Sequence, residues 1–176
     1  RRVLAPLLII TLIATLASPA PAAGPRGKME NPDFTKGDPI PEGADHDWTL
    51  GAIGARGWIF SDKMVTSDAR QISITKVEKR SPAHGVLKVG DVILGINGKP
   101  FSYDPRTEFG KALTAAESDV AAGNLSLIRW RNGKQETVVV KLPVLGTYLP
   151  PAPYDCPKSR RILELGCESL AKKVAA

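Results

Sequence analysis

Two Asn-Gly dipeptides, Asn97-Gly98 and Asn132-Gly133, restrict the fold of this chain more than any other feature. Asn-Gly supplies the consecutive positive backbone angles of a two-residue turn, so an apolar run on each side of it must reverse onto its neighbour as an antiparallel hairpin. The first is flanked by Asp91–Ile96 and Lys99-Pro100-Phe101. The second lies between Leu125–Arg131 and Gln135–Leu142, the latter carrying Val138, Val139 and Val140. Upstream, Gly57-Trp58-Ile59-Phe60 reads as a strand, and Arg70–Val77 as another with Ile72 and Ile74 on one face by period-two alternation. A polar loop, Ser61–Ala69, joins them. Ser81-Pro82-Ala83-His84 has a Ser cap, Pro at the first helical position and Gly85 as a stop, which predicts a single helical turn. Asp104 before Pro105 opens the best helix, with Phe109, Ala112, Leu113, Ala116 and Val120 forming one apolar stripe. The expected class is mainly β with two helices (α+β).

The ends read differently. Arg1 and Arg2, an apolar run from Val3 to Leu16 and the small-residue stretch Ala17–Gly24 have the order of a secretory signal peptide cut after Ala22. The run falls short of the roughly 20 residues a membrane-crossing helix needs, so no permanent span is expected after cleavage. The chain is therefore expected to be exported, to a periplasmic or extracellular location. With 176 residues, 43% of them hydrophobic, there is material for one domain of about 100 to 150 residues plus flanks. Residues 23–47 are rich in Gly, Pro, Asp and Glu and read as an extended surface lead-in without a core of its own. The domain spans 48–142. A Pro-rich linker follows over 143–156, then a helix over 157–176 with Leu163, Cys167, Leu170 and Val174 on one side. A lone amphipathic helix of this length is marginal in water, so that stripe asks for a following helical domain, a partner chain, or packing back onto the module.

Charge excludes one class of partner. Loss of Arg1 and Arg2 takes the formal charge from +6 to +4, with the remaining cations interspersed among carboxylates. Nucleic-acid binding wants a basic stripe with stacking aromatics, and Arg129-Trp130-Arg131 lies instead within a strand pattern. The two cysteines, Cys156 and Cys167, flank or lie on one helix, where eleven residues span about 16 Å, beyond disulfide reach. No bridge between them is expected.

The order of a turn between strands, a hairpin, a long helix and a closing hairpin matches the PDZ fold, a partly open β-barrel or sandwich. The segment from Ser81 to Pro100, SPAHGVLKVGDVILGINGKP, resembles the corresponding part of PDZ modules in bacterial envelope proteases. The resemblance implies that Val86 and Leu87 plug the core and that Gly90-Asp91 form the turn that launches the next strand. Asn31-Pro32-Asp33-Phe34, His46-Asp47-Trp48, Gly54–Phe60 and Tyr154–Pro157 together look like a family of exported bacterial PDZ proteins of unassigned function, which implies a larger all-helical region after the module.

PDZ modules bind by adding an extended peptide to a sheet edge, beside the long helix. The resemblance places the carboxylate-binding loop at Ala55, Arg56, Gly57 and Trp58, with Gly57 permitting a tight turn and open amides forming a positive nest. Arg56 either pairs with the peptide carboxylate or points into solvent. Ile59 and Phe60 continue the pairing strand, one facing the groove and the other buried. Phe109 and Leu113 line the opposite wall. Arg106 stands near the helix start, where charge complementarity favours an acidic peptide residue.

Catalysis is not expected. A serine hydrolase needs Ser, His and a carboxylate together, and the two histidines fall in the lead-in (His46) and in the short turn (His84). Asp45-His46-Asp47 diverge along an extended chain and lack a second ligand cluster, so no metal is expected. The glycines of Gly51–Gly57 are not followed by a helix, so no phosphate loop or nucleotide cofactor is expected. The sequence therefore reads as an exported PDZ-type module binding peptide C-termini or extended segments. The alternatives are a regulatory, substrate-recruiting part of a larger exported enzyme, and a spacer whose groove holds its own lead-in.

Overall fold

The computed structural model describes residues 30–44 and 46–175; the predicted leader, residues 1–22, lies outside them. Among the described residues seven strands form one antiparallel sheet: β1 (Trp48–Thr49), β2 (Ala55–Trp58), β3 (Ile72–Val77), β4 (Val92–Ile96), β5 (Lys99–Pro100), β6 (Asn124–Arg131) and β7 (Lys134–Lys141). Their order is β1-β2-β3-β4-β6-β7, with β5 paired to β4. Both Asn-Gly turns form as expected. Asn97 and Gly98 take φ of 51° and 75°, Asn132 and Gly133 50° and 79°. The second turn sets an unbroken register from Arg131↔Lys134 to Asn124↔Lys141.

Helix α1 (Pro105–Ala116) starts where its cap predicts, the Asp104 carboxylate accepting the Arg106 N–H at 2.9 Å. It buries Phe109, Ala112 and Ala116 against the sheet, and full burial of a side chain such as Phe109 contributes about 2 kcal/mol. Beneath it the core is built on Ile53, Ile59, Ile72, Ile93 and Leu125. Leu87 is buried and Val86 packs on the same cluster. Gly90, at φ 88°, turns the chain into β4, while the buried Asp91 carboxylate accepts the Lys88 N–H and pairs with Arg131.

Several expectations are corrected. The first predicted strand lies two residues earlier, at Ala55–Trp58, because a bulge between Arg56 and Gly57 turns Ile59 and Phe60 into the core after pairing ends. Ser81–His84 is a hydrogen-bonded turn and not a helical one. There the Ala83 N–H is drawn across to Ile53 O at 2.9 Å, and the Ser81 hydroxyl is buried without capping anything. Val120 leaves the apolar stripe, being 98% exposed, because α1 stops at Ala116 and the chain unwinds through turns, with Gly123 N–H returning to Ala116 O. The lead-in does contribute to the core: a short 3-10 turn over Phe34–Lys36, capped by Asp33, buries Phe34 edge-on against Trp58 at 5.7 Å.

The Pro-rich linker is pinned to the domain. Leu145 and Gly146 donate to the Glu117 carbonyl at 3.0 and 2.9 Å. Helix α2 (Pro157–Val174) is anchored at its base by Lys158, whose ammonium donates to the Glu117 carboxylate in a buried pair and faces the Tyr148 ring at 4.5 Å. Its outer stripe faces solvent, with Leu163, Cys167, Leu170 and Val174 exposed, whereas Cys156 at its N-cap is buried. Both thiols are free. No helix of the described residues is long and apolar enough to cross a membrane.

Candidate peptide-binding cleft

The edge expected to be open is filled by the chain itself. Trp48 pairs with Gly57 and Thr49 with Arg56, so β1 covers the side of β2 that β3 leaves free. A 3-10 turn over Gly51–Ile53 makes the reversal, with Gly51 and Gly54 both at positive φ. These are the turn glycines. Gly57 is in the ladder instead, where a Cβ would come within 2.5 Å of Ile72 Cγ2, so it is required by close packing. The amide nest expected at Ala55–Trp58 is thus spent on sheet pairing to both sides.

Side chains lock this arrangement. The Arg56 guanidinium is held by Asp47. Its Nε donates to Asp47 Oδ1 at 2.7 Å and its Nη2 to Asp47 O at 3.0 Å, while Thr75 Oγ1 donates to the other Asp47 oxygen at 2.6 Å. The hydrogen bond from Arg56, reinforced by Thr75, holds the Asp47 carboxyl below its ordinary value. Trp58, expected at the strand entrance, is the last residue of β2; it is buried and donates its indole N–H to Ala44 O at 2.9 Å.

The cleft lies one strand further out, between β1 and α1. It encloses about 490 Å3 and is lined by Trp48, Thr49, Leu50 and Gly51 on one wall, Asp104, Arg106, Thr107, Phe109, Gly110 and Leu113 on the other, with Ile59 reaching between them. Of the nine predicted residues it gathers Ile59, Arg106, Phe109 and Leu113. Ala55, Arg56, Gly57, Trp58 and Phe60 are not part of its lining. Ile59 lines the cleft while Phe60 is buried away from it, and both are largely shielded from solvent. Sequence reasoning missed Trp48–Gly51, Asp104, Thr107 and Gly110 as lining residues. The available signal was Trp-Thr before Gly-x-x-Gly, two good strand formers ahead of a turn, but two residues are too few for a period-two pattern.

β1 is the sheet's edge. Leu50 N–H bonds to Ala55 O at 2.9 Å, which makes Leu50/Ala55 a hydrogen-bonded pair. Antiparallel pairs alternate, so Thr49/Arg56 is the open one and the Thr49 N–H and C=O point away from β2. At one end of the cleft the Arg106 guanidinium lies 3.6 Å over the Trp48 ring, with His46 edge-on to that ring at 4.6 Å. The Trp48 indole N–H is buried and finds no acceptor among the described residues, a state that costs about 1–3 kcal/mol. The Asp104 carboxylate beside the cleft is occupied by Thr66, Thr107 and the Arg106 amide. Among the described residues no cluster of three His, Cys, Asp or Glu could hold a metal ion.

The PDZ domain family matches residues 47–121, so this part of the chain is similar to PDZ domains, a class of peptide- and protein-binding module. The sheet that it begins continues to Lys141. No curated protein matches the chain. Among solved structures it is similar to an HtrA-type protease with a bound decapeptide, at 24% identity and a TM-score of 0.37, over 61% of this chain and 30% of that one. The chain thus spans less than a third of that protease.

Proposed function

We propose that the chain is an exported PDZ-type module that binds an extended peptide, a C-terminus or an internal segment, by strand addition in the cleft between β1 and α1. The observation that carries it is the outward-facing Thr49 backbone, a donor and an acceptor on an edge strand, opposite an apolar wall of Phe109 and Leu113. Backbone bonds supply affinity in this mode, and the flanking pocket selects side chains. Export is supported by the leader-like order of residues 1–22.

The test is a peptide array probed with the chain, each sequence present with a free and an amidated C-terminus. Hits are then titrated against Gly110→Leu. Gly110 lines the cleft and a Cβ there meets nothing within 4 Å, so the substitution adds bulk at the cleft wall with no clash at Cβ. Micromolar binding that falls at least tenfold in this variant supports the reading; hits unaffected by it defeat the location. No free-terminus preference anywhere would reduce the ligand class to internal segments.

A second reading, a recruiting module within a larger exported protein, is favoured by the solvent-facing stripe of Leu163, Leu170 and Val174 on α2. Sequencing the gene beyond Ala176 decides it, a stop codon there being the adverse result.

A further inference from the structure

The two walls of the cleft touch at both ends. At one, the Gly51 backbone lies so close to α1 that a Cβ there would stand 3.1 Å from Leu113 Cδ1. At the other, Arg106 of α1 stacks on Trp48 of β1. Arg106 to Leu113 is seven residues of helix, about 10 Å along its axis, which is the rise of about three residues of extended chain. A segment longer than that has to pass the Trp48–Arg106 contact.

That contact is weakly held. Arg106 is an exposed residue, and a cation–π stack at an exposed site favours its closed state only about two- to fivefold. In the structure as it stands the Trp48 indole N–H is buried and has no acceptor among the described residues, a cost that any rearrangement exposing it would remove. The two partners sit on different elements, so separating them breaks no ladder hydrogen bond.

We propose that the Trp48–Arg106 stack is a clasp that limits the closed cleft to about three residues and opens to admit longer segments. This rests on the peptide-docking reading for its ligand arm, and on geometry alone for the clasp itself.

The experiment uses the full chain, its Arg106→Ala and Arg106→Lys variants, and fluorescein-labelled peptides of three and ten residues sharing the same final three, taken from the array. In Arg106→Ala the affinity for the ten-residue peptide rises about two- to fivefold relative to the three-residue one, with Arg106→Lys between; an unchanged or lowered ratio overturns the clasp. A ligand-free readout runs in parallel: hydrogen exchange at the Trp48 indole speeds up in Arg106→Ala, and an unchanged rate also overturns it. If neither peptide binds any of the proteins, the peptide-docking reading fails, and the indole exchange still decides whether the clasp exists.

Discussion

Glycines separate packing from turn geometry at single positions. Gly57 has ordinary strand geometry, but a methyl group there would meet Ile72 Cγ2 at 2.5 Å and Ser73 O at 3.2 Å. Gly57→Ala should therefore destabilise the domain by about 1–3 kcal/mol, read as a lower urea midpoint at constant slope. Gly110 sits mid-helix with open space around its Cβ position. Gly110→Ala should instead stabilise by up to about 1 kcal/mol, from helix propensity alone. Both outcomes come from one denaturation series, and a shift of the same sign for both would contradict the contacts described. The residue reading of the sequence put Phe109 and Leu113 on the inner face of α1 by their helical spacing, and both line the cleft. It was wrong about Gly57, because a glycine needed for a close approach and one needed for positive φ look identical in one dimension.

The lead-in and α2 are each held by a few polar contacts, which makes them the elements most sensitive to solution conditions. Hydrogen bonds from Thr35 and Gln71 hold the Asp33 carboxyl below its ordinary value, and the one from Arg56 does the same for Asp47. A carboxyl whose folded pKa is depressed contributes stability that is present above its unfolded value, near 3.9, and lost as pH falls through the lower folded one. The lead-in should thus detach as pH drops below about 4, seen as loss of the Trp58 indole N–H bond to Ala44 O by NMR. In a chain carrying Asp33→Asn and Asp47→Asn that pH dependence should flatten. At the other end, Lys158→Met leaves the buried Glu117 carboxylate without its partner, a change that costs about 3 kcal/mol or more. Amide exchange should then quicken in the first turn of α2 while β6 and β7 keep their protection. Uniform loss across the sheet would show that α2 belongs to the core. Neither anchor follows from sequence pattern: Glu117 and Lys158 are 41 residues apart, and nothing in composition pairs them.

For the molecule as a whole, the leader-like first 22 residues predict export: expressed with its own N-terminus, the mature chain recovered outside the cytoplasm should begin at Ala23 by N-terminal sequencing. Retention of an uncleaved chain inside the cell would refute this. The sequence by itself determined the elements whose causes are local. Two Asn-Gly turns set both hairpins, Asp104-Pro105 set the start of α1, and alternation put Ile72 and Ile74 inside, because turn angles, caps and period-two patterns act over a few residues. Only the tertiary structure decided which strand forms the edge. Two residues, Trp48 and Thr49, occupy the side of β2 that a peptide was expected to take. They are kept there by Asp47 on Arg56 and Thr75, Trp58 on Ala44, and Arg106 on Trp48, partners drawn from up to 58 residues away. A strand edge is a vacancy that any extended segment can fill, and what fills it depends on which chain is tethered close enough to compete. Proximity of that kind is a property of the folded chain, which is why the cleft stands one strand further out than the sequence placed it.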